Sequence, residues 1–317
     1  MKNNKNNKNN LGFTIIELMV TILIISILSS IIINRITQSQ AQSQADLLKV
    51  KIFSGTVKNR LIENLVAEWT LDDTGATIVN TSDYGADLNC TSYNTTPQTS
   101  ANCINNGCLL FNGSSSYLNC GNNIAANITN AITVEAWVKT FAFGTNQYRT
   151  IVGRATGDIV DGCGLQYGLS SNWNNGDRLE FWAHKVGFTD CNGSAYVVSS
   201  PISLNVWYHV VGTYDSSTGL QKIYLNGIIN ATSNKTAGTL IRSYPNQILT
   251  IGRAPFASQW YFNGLIDEVR IYNAPLTIVE IQDHYYAGLN KLLAKGAITQ
   301  LEYNQRVSAL QAEVGYK

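Results

Sequence analysis

Hydrophobic positions along this chain change their period, and each period predicts a different element. Between Phe13 and Ile33 almost every residue is apolar. That is about the twenty residues a bilayer-crossing helix needs. The single charge inside the run is Glu17, and a carboxylate in hydrocarbon is a functional-site candidate by default. From Asn34 the chain turns polar, and apolar residues then recur in three- and four-residue steps through Leu47, Val50, Val57, Leu61 and Leu65. This is the period of an amphipathic helix. With no proline in the stretch, the pattern predicts one helix from Phe13 to about Leu65, weakened at Gly55 by about 1 kcal/mol relative to alanine.

Beyond Val66 the period falls to two, the signature of half-buried strands. Alternation marks Ala67–Leu71, Ile132–Val138, Arg178–Ala183 and Trp207–Tyr214, with further runs at Thr150–Arg154, Leu165–Leu169, Gln221–Gly227, Ile248–Arg253 and Phe262–Tyr272. Asn226-Gly227 is a hairpin signal. The Ser/Thr/Asn-rich stretch from Thr77 to Asn106 reads as a long loop that must be tied down. Many short strands without helices between them predict an antiparallel β-sandwich. The helical period returns at the tail as two short helices, Asn290–Thr299 and Gln300–Val307, with Thr299 as N-cap and Glu302 completing a capping box. The expected fold is therefore α+β. It has a leader at 1–12, a transmembrane and stem helix at 13–65, a sandwich at 66–286 and a helical hairpin at 287–317.

Composition adds topology and compartment. Net charge is +1 and charged residues are 14% of the chain, with no basic stripe, so a nucleic-acid partner is not expected. Lys2, Lys5 and Lys8 precede the apolar run, and the positive-inside rule puts everything after Ile33 outside. All six cysteines lie on that outer side: Cys90, Cys103, Cys108, Cys120, Cys163 and Cys191. An even number there predicts disulfides, and no metal-type spacing favours zinc. If Asn112 faces Ser116 across a hairpin, Cys108 falls opposite Cys120. Cys108–Cys120 is then the favoured pair, leaving Cys90–Cys103 and Cys163–Cys191.

The basic leader, the stretch GFTIIELMV and the uninterrupted apolar run resemble the N-terminus of type IV pilins and pseudopilins. That resemblance implies cleavage by a prepilin peptidase between Gly12 and Phe13, and methylation of the new Phe13 amine. It also implies that Glu17 pairs with the N-terminal amine of a neighbouring subunit during assembly. Some pilins carry a kinking proline in the embedded half of this helix; this chain has none there.

A second resemblance covers roughly Val66 to Tyr286. The segments ITVEAWVKT, WYHVVGTYD, KIYLNGI, LTIGR and FNGLIDEVRIYNAPLT, in that order, look like a laminin G-like, concanavalin A-like jelly roll. The tail LLAKGAITQLEYNQRVSAL is similar to the short helical hairpin called SHOCT. Relatives of the jelly roll often hold a structural calcium ion, which by resemblance would use Asp72 and Asp267, with Asn112 where they carry an aspartate.

Trp69, Trp137, Trp182 and Trp207 fit core faces, whereas Trp173, Trp260 and Tyr261 sit in or beside loops as candidate glycan-stacking aromatics. No Glu-x-Asp-x-Glu triplet is present, and Asp158, Asp161 and Asp177 do not form one. His184, His209 and His284 show no nucleophile–base pattern, so an enzyme is not expected. The function expected is that of a minor pilin or pseudopilin of a type IV pilus or type II secretion system. Its partners would be other subunits, the peptidase, the inner membrane before assembly, and a glycan or surface protein. The alternatives are a membrane-tethered binding protein that never polymerises and, less favoured, a surface glycoside-active enzyme.

Overall fold

The computed structural model describes residues 15–16, 18–31, 60–144, 147–155, 165–187, 196–255 and 260–314, and divides into units 1–59 and 60–317. Gly12, Phe13, Glu17, Asp158, Asp161, Cys163, Cys191 and the stem residues 32–59 lie outside the described residues.

In the first unit, residues 15–16 and 18–31 are helical, and Ile15, Ile16, Met19, Leu23 and Ile25 are exposed. The Thr21 hydroxyl donates to the Leu18 carbonyl (2.8 Å) and that of Ser26 to the Ile22 carbonyl (2.7 Å). These bonds fold the polar atoms onto the helix's own backbone and leave its exterior apolar. Among the described residues no helix is long and apolar enough to cross a membrane.

The second unit begins with a helical turn at 60–64 and continues as two eight-stranded sheets packed face to face. The first runs β14 (Ile228–Asn234), β13 (Leu220–Leu225), β12 (Trp207–Asp215), β7 (Ala131–Thr140), β16 (Asn263–Tyr272), β5 (Gly107–Asn112) and β4 (Thr96–Thr99), with β1 (Leu65–Trp69) also on β16. The second runs β11 (Tyr196–Pro201), β10 (Arg178–Ala183), β9 (Leu165–Ser171), β8 (Thr150–Ala155), β15 (Ile248–Ile251), β6 (Tyr117–Asn119), β3 (Cys90–Tyr93) and β2 (Thr77–Ile78). Every strand pair within the sheets is antiparallel.

Period-two alternation sends Phe111, Val134, Ala136, Val138 and Ile266 of the first sheet against Leu118, Leu169, Leu179, Phe181 and Ile251 of the second. The two layers approach closely enough that a Cβ on Gly212 would lie 2.1 Å from the Phe181 ring. The stretch 77–106, expected as loop, instead supplies three short strands: β4 pairs with β5, β3 with β6, and β2 with β3.

The expected Cys108–Cys120 and Cys90–Cys103 bridges are not formed. The bonds are Cys90–Cys120 and Cys103–Cys108. The residues between β5 and β6 are not a hairpin tip but a crossing from one sheet to the other, which separates Cys108 from Cys120. Cys90 opens β3 and Cys120 follows β6, its neighbour in the sheet, so those two meet. Cys103 and Cys108 close a short loop at the start of β5.

Two helices finish the chain, α1 (Ile278–Ala294) and α2 (Gln300–Val314). The first starts well before the expected Asn290 and runs across position 287, where the sandwich was expected to end. Its N-terminus is set by a Thr277/Glu280 capping box, with the Glu280 carboxylate also bound by Arg60. Its end is a Schellman turn. Gly296 (φ 69°) donates to the Leu293 carbonyl and Ala297 to that of Leu292. At α2 the expected Thr299 cap is present, accepting from the Glu302 backbone (3.1 Å). The Glu302 side chain is turned to Arg306 instead of closing the box.

Candidate functional site

Each sheet has an outer face, and the two carry different chemistry. On the second sheet the residues facing away from the core are those that alternate with Leu179, Phe181, Leu169, Leu249 and Leu118. Pairing registers align Glu180 with Ser170, Trp182 with Gly168, Thr250 with both Gly153 and Asn119, and Tyr117 with Tyr93. The Trp182 indole lies across the two glycines. A Cβ on Gly168 would sit 2.4 Å from it, and one on Gly153 would sit 3.6 Å away. Trp182, expected in the core, is thus the floor of this outer face.

Aromatic rings run along that floor. Tyr93 stacks on Tyr117 (centroids 4.6 Å apart), the Arg253 guanidinium lies 3.7 Å over the Tyr117 ring, and Tyr261 follows at 6.5 Å. The segment Trp260-Tyr261 is fixed beside the start of β8 by the Thr150 N–H, which donates to the Trp260 carbonyl (3.2 Å). From there Trp260, Tyr148 and Trp173 form a three-ring cluster with centroids 4.9, 5.2 and 6.2 Å apart. Trp173 is 37% exposed although it makes two ring contacts. The structure therefore brings the three expected aromatics, Trp173, Trp260 and Tyr261, to one face. It adds Tyr93, Tyr117, Tyr148 and Trp182. Alternation puts Tyr93, Tyr117 and Trp182 each on one face of its strand without saying which face is outer or which sheet they share, and Tyr148 lies in no strand.

Glu180 lies in this face and is 2% exposed. It accepts from the Asn172 amide (2.8 Å) and the Ser170 hydroxyl (3.1 Å). Burial pushes its carboxyl up to about 7, against the lowering effect of those two hydrogen bonds. Burial, with the nearby Glu180 carboxylate and then Tyr196, pushes the Tyr148 hydroxyl up to about 12. The face is thus rich in rings and hydrogen-bonding groups, with the Arg253 guanidinium as a cation and Glu180 partly protonated at neutral pH, which suits hydroxyl-rich ligands.

The outer face of the first sheet is covered by α1. Trp137 stacks on Tyr285 (5.6 Å), and Gly288 allows the helix to approach, since a Cβ there would lie 2.3 Å from the indole. Beneath it Glu135, fully buried, accepts from His209 Nε2 and His284 Nδ1, both at 2.9 Å, and from Arg270 (3.3 Å). Arg270 also holds Glu68 (2.7 Å) and Glu268. Burial would raise the Glu135 carboxyl, but the His284 and His209 partners hold it well below the usual range. A cavity of about 60 Å³, lined in part by Trp137, Arg270, His284 and Lys291, remains under the helix. The two histidines that share Glu135 are thus packing partners of a helix. His184 is buried elsewhere, just after β10.

Asp72 and Asp267 do converge, on the loop between β4 and β5. Asp267 Oδ2 accepts from the backbone of Ile104 (2.7 Å) and Asn105 (3.2 Å), and Asp72 Oδ1 from Gly107 (2.6 Å). Burial first, and then the adjacent Glu268 carboxylate, raise Asp267 well above the usual carboxylate range. Asn112 is at the other end of β5, roughly 17 Å from Gly107 at strand rise. There its side-chain oxygen accepts from the backbone of Ser114, Ser115 and Ser116. The trio Asp72, Asp267 and Asn112 therefore does not assemble. A lysine occupies the carbonyl cluster beside the two aspartates: Lys295 Nζ donates to the carbonyls of Ser100 (3.1 Å), Ile104 (3.2 Å), Cys103 (3.3 Å) and Asn105. Carboxylates spent on N–H donors, beside an ammonium on the carbonyls, do not fit a calcium ion in this folded form.

Family models match the chain in two places. Residues 112–282 match the concanavalin A-like lectin/glucanases superfamily, and residues 7–33 match the prokaryotic N-terminal methylation motif. No curated protein sequence matches. Among solved structures, a Trypanosoma rangeli sialidase in complex with sialic acid is similar with a TM-score of 0.50 and 16% identity, over 70% of this chain and 33% of the sialidase. The binding domain of botulinum neurotoxin serotype G is similar with a TM-score of 0.51 and 18% identity, over 71% of this chain and 51% of that one. At such identities the likeness is one of fold, and it spans a third to a half of those proteins' own length.

Proposed function

The chain belongs to the concanavalin A-like lectin/glucanases superfamily, and from that premise we propose that it is a minor pilin or pseudopilin whose sandwich is a glycan-binding head. The observation that carries the reading is the joining of an N-terminal methylation motif to a lectin-type sandwich with a ring-lined outer face that carries no helix among the described residues. Prepilin peptidase cuts before Phe13, the new amine is methylated, and Glu17 accepts it from a neighbouring subunit. Pairing removes an expensive lone carboxylate from hydrocarbon and so favours transfer of the helix from bilayer to filament. The protein is anchored in the cytoplasmic membrane before assembly, with the sandwich on the far side. Oxidising conditions there agree with the two disulfides.

At the head, Trp173, Trp260 and Tyr148 supply faces for sugar rings, and the neutral polar groups around them meet hydroxyls. The sialidase and the toxin binding domain share only the fold with this chain, and the ring-lined face itself is what supports a glycan as the ligand class. Two measurements test the two halves. Glu17→Ala is expected to leave the protein in the membrane but absent from sheared filaments; normal incorporation would overturn the assembly role. The double variant Trp173→Ala/Trp260→Ala is expected to lose binding on a glycan array at least tenfold; unchanged binding would move the ligand away from this face.

A further inference from the structure

Four backbone carbonyls, those of Ser100, Cys103, Ile104 and Asn105, point their oxygens at one spot, with Asp72 and Asp267 beside it. The loop that carries them is held from three directions. The Cys103–Cys108 bond closes it, Asp267 takes the N–H groups of Ile104 and Asn105, and Asp72 takes that of Gly107. With the N–H groups directed at carboxylates, the carbonyls are turned the opposite way, so the negative ends of four dipoles meet. Such a cluster repels itself unless a cation sits at its centre.

An ammonium has three N–H bonds and the cluster has four acceptors. The arrangement is therefore that of a cation cage and not of a simple hydrogen-bond pair. Lys295 is delivered to it by geometry that leaves little choice. It is the C-cap of α1, and the Schellman turn through Gly296 and Ala297 fixes its backbone. Next to it Leu292 and Ile298 pack on the same cluster as Cys103, Cys108 and Leu310, so the lysine and the helical hairpin arrive together.

We propose that the Ser100–Asn105 loop is a cation site whose resident is the chain's own Lys295 ammonium, which thereby latches the C-terminal hairpin to the sandwich. A covalently tethered cation makes the loop independent of dissolved metal. Removal of the tethered ammonium leaves the four carbonyls unpaired, and each carboxylate, with about four lone-pair sites, keeps acceptor capacity beyond its backbone N–H bonds, so the emptied cage suits a calcium-sized divalent cation.

The test uses the full chain in a non-ionic detergent. For the unaltered protein, EDTA and millimolar Ca²⁺ should each leave Tm unchanged, and Tb³⁺ should show no luminescence sensitised through protein aromatics. Lys295→Ala should lower Tm by several degrees and expose the hairpin to protease. Added Ca²⁺ should restore both, and Tb³⁺ should now bind. Asp72→Asn on top of Lys295→Ala should abolish that response while leaving the variant folded by circular dichroism. A loss of Tm on adding EDTA to the unaltered protein would overturn the proposal. So would a Lys295→Ala protein whose Tm and protease pattern are unchanged, or one that is destabilised yet indifferent to every divalent ion.

Discussion

The outer faces of the two sheets began with similar raw material, strands that alternate apolar and polar residues, and have opposite fates. The face of the first sheet is closed by α1. Its ionisable groups Glu135, Arg270, His209 and His284 are buried but mutually paired. The face of the second sheet has no helix on it among the described residues. Its buried acid, Glu180, has only neutral partners, and its rings stack on one another. Buried charges tolerate desolvation when opposite charges accompany them, and a carboxyl without such company gives up its charge instead. The first face is closed by the chain's own helix, and the second is the one to which the proposed function assigns a ligand.

The strongest way to break the comparison is to remove the centre of the paired network. Glu135→Gln removes the carboxylate that His209, His284 and Arg270 share, while Arg270 keeps Glu68 and Glu268, and should cost about 3 kcal/mol in urea unfolding. The acid limb should change as well. Because the folded Glu135 carboxyl is depressed, its contribution is present above the ordinary carboxylate range and is lost as pH falls through the folded value. The variant should lack that loss.

Gly288→Ala attacks the same face sterically, pressing a methyl into the Trp137 indole, and should cost about 1–3 kcal/mol. Protease cleavage should then appear in the hairpin before it appears in the sandwich.

On the open face the sign reverses. The folded Glu180 carboxyl titrates near 7 and the ordinary value is 4.5, so the native state holds its proton more tightly. Stability should fall as pH rises from about 4.5 to 7. Glu180→Gln should flatten that decline and gain on the order of 2–3 kcal/mol at pH 8, read from urea melts. A decline that survives the substitution would assign it to another group. The smallest effect is expected at the rim. Trp173→Ala should cost about 1 kcal/mol, since it removes two ring contacts of a partly exposed side chain, while weakening ligand binding.

Much of the architecture was legible from local pattern. Ile132–Val138 and Arg178–Ala183 alternate strictly and are strands β7 and β10, and Thr299 caps a helix as its spacing implies. The second cap, Thr277 with Glu280, obeys the same rule and could have been read from the T-x-x-E spacing. It was masked by the strand pattern that runs up to Tyr272. Trp173, Trp260 and Tyr261 were legible as loop aromatics, but their meeting was not, because they come from two distant chain segments that only the sheet order brings together.

The order of residues along the chain was enough to tell which positions alternate, where the apolar N-terminal run lies and that every cysteine follows it, because each of these is a local pattern or a matter of chain order. Tertiary structure alone decided that β5 and β6 part into different sheets, and with that the disulfide partners. It alone decided that Trp182 faces outward and that Lys295 reaches the Ser100–Asn105 carbonyls. A period of two says that successive side chains face opposite ways, but it carries no information about which layer a strand joins or what lies across from it.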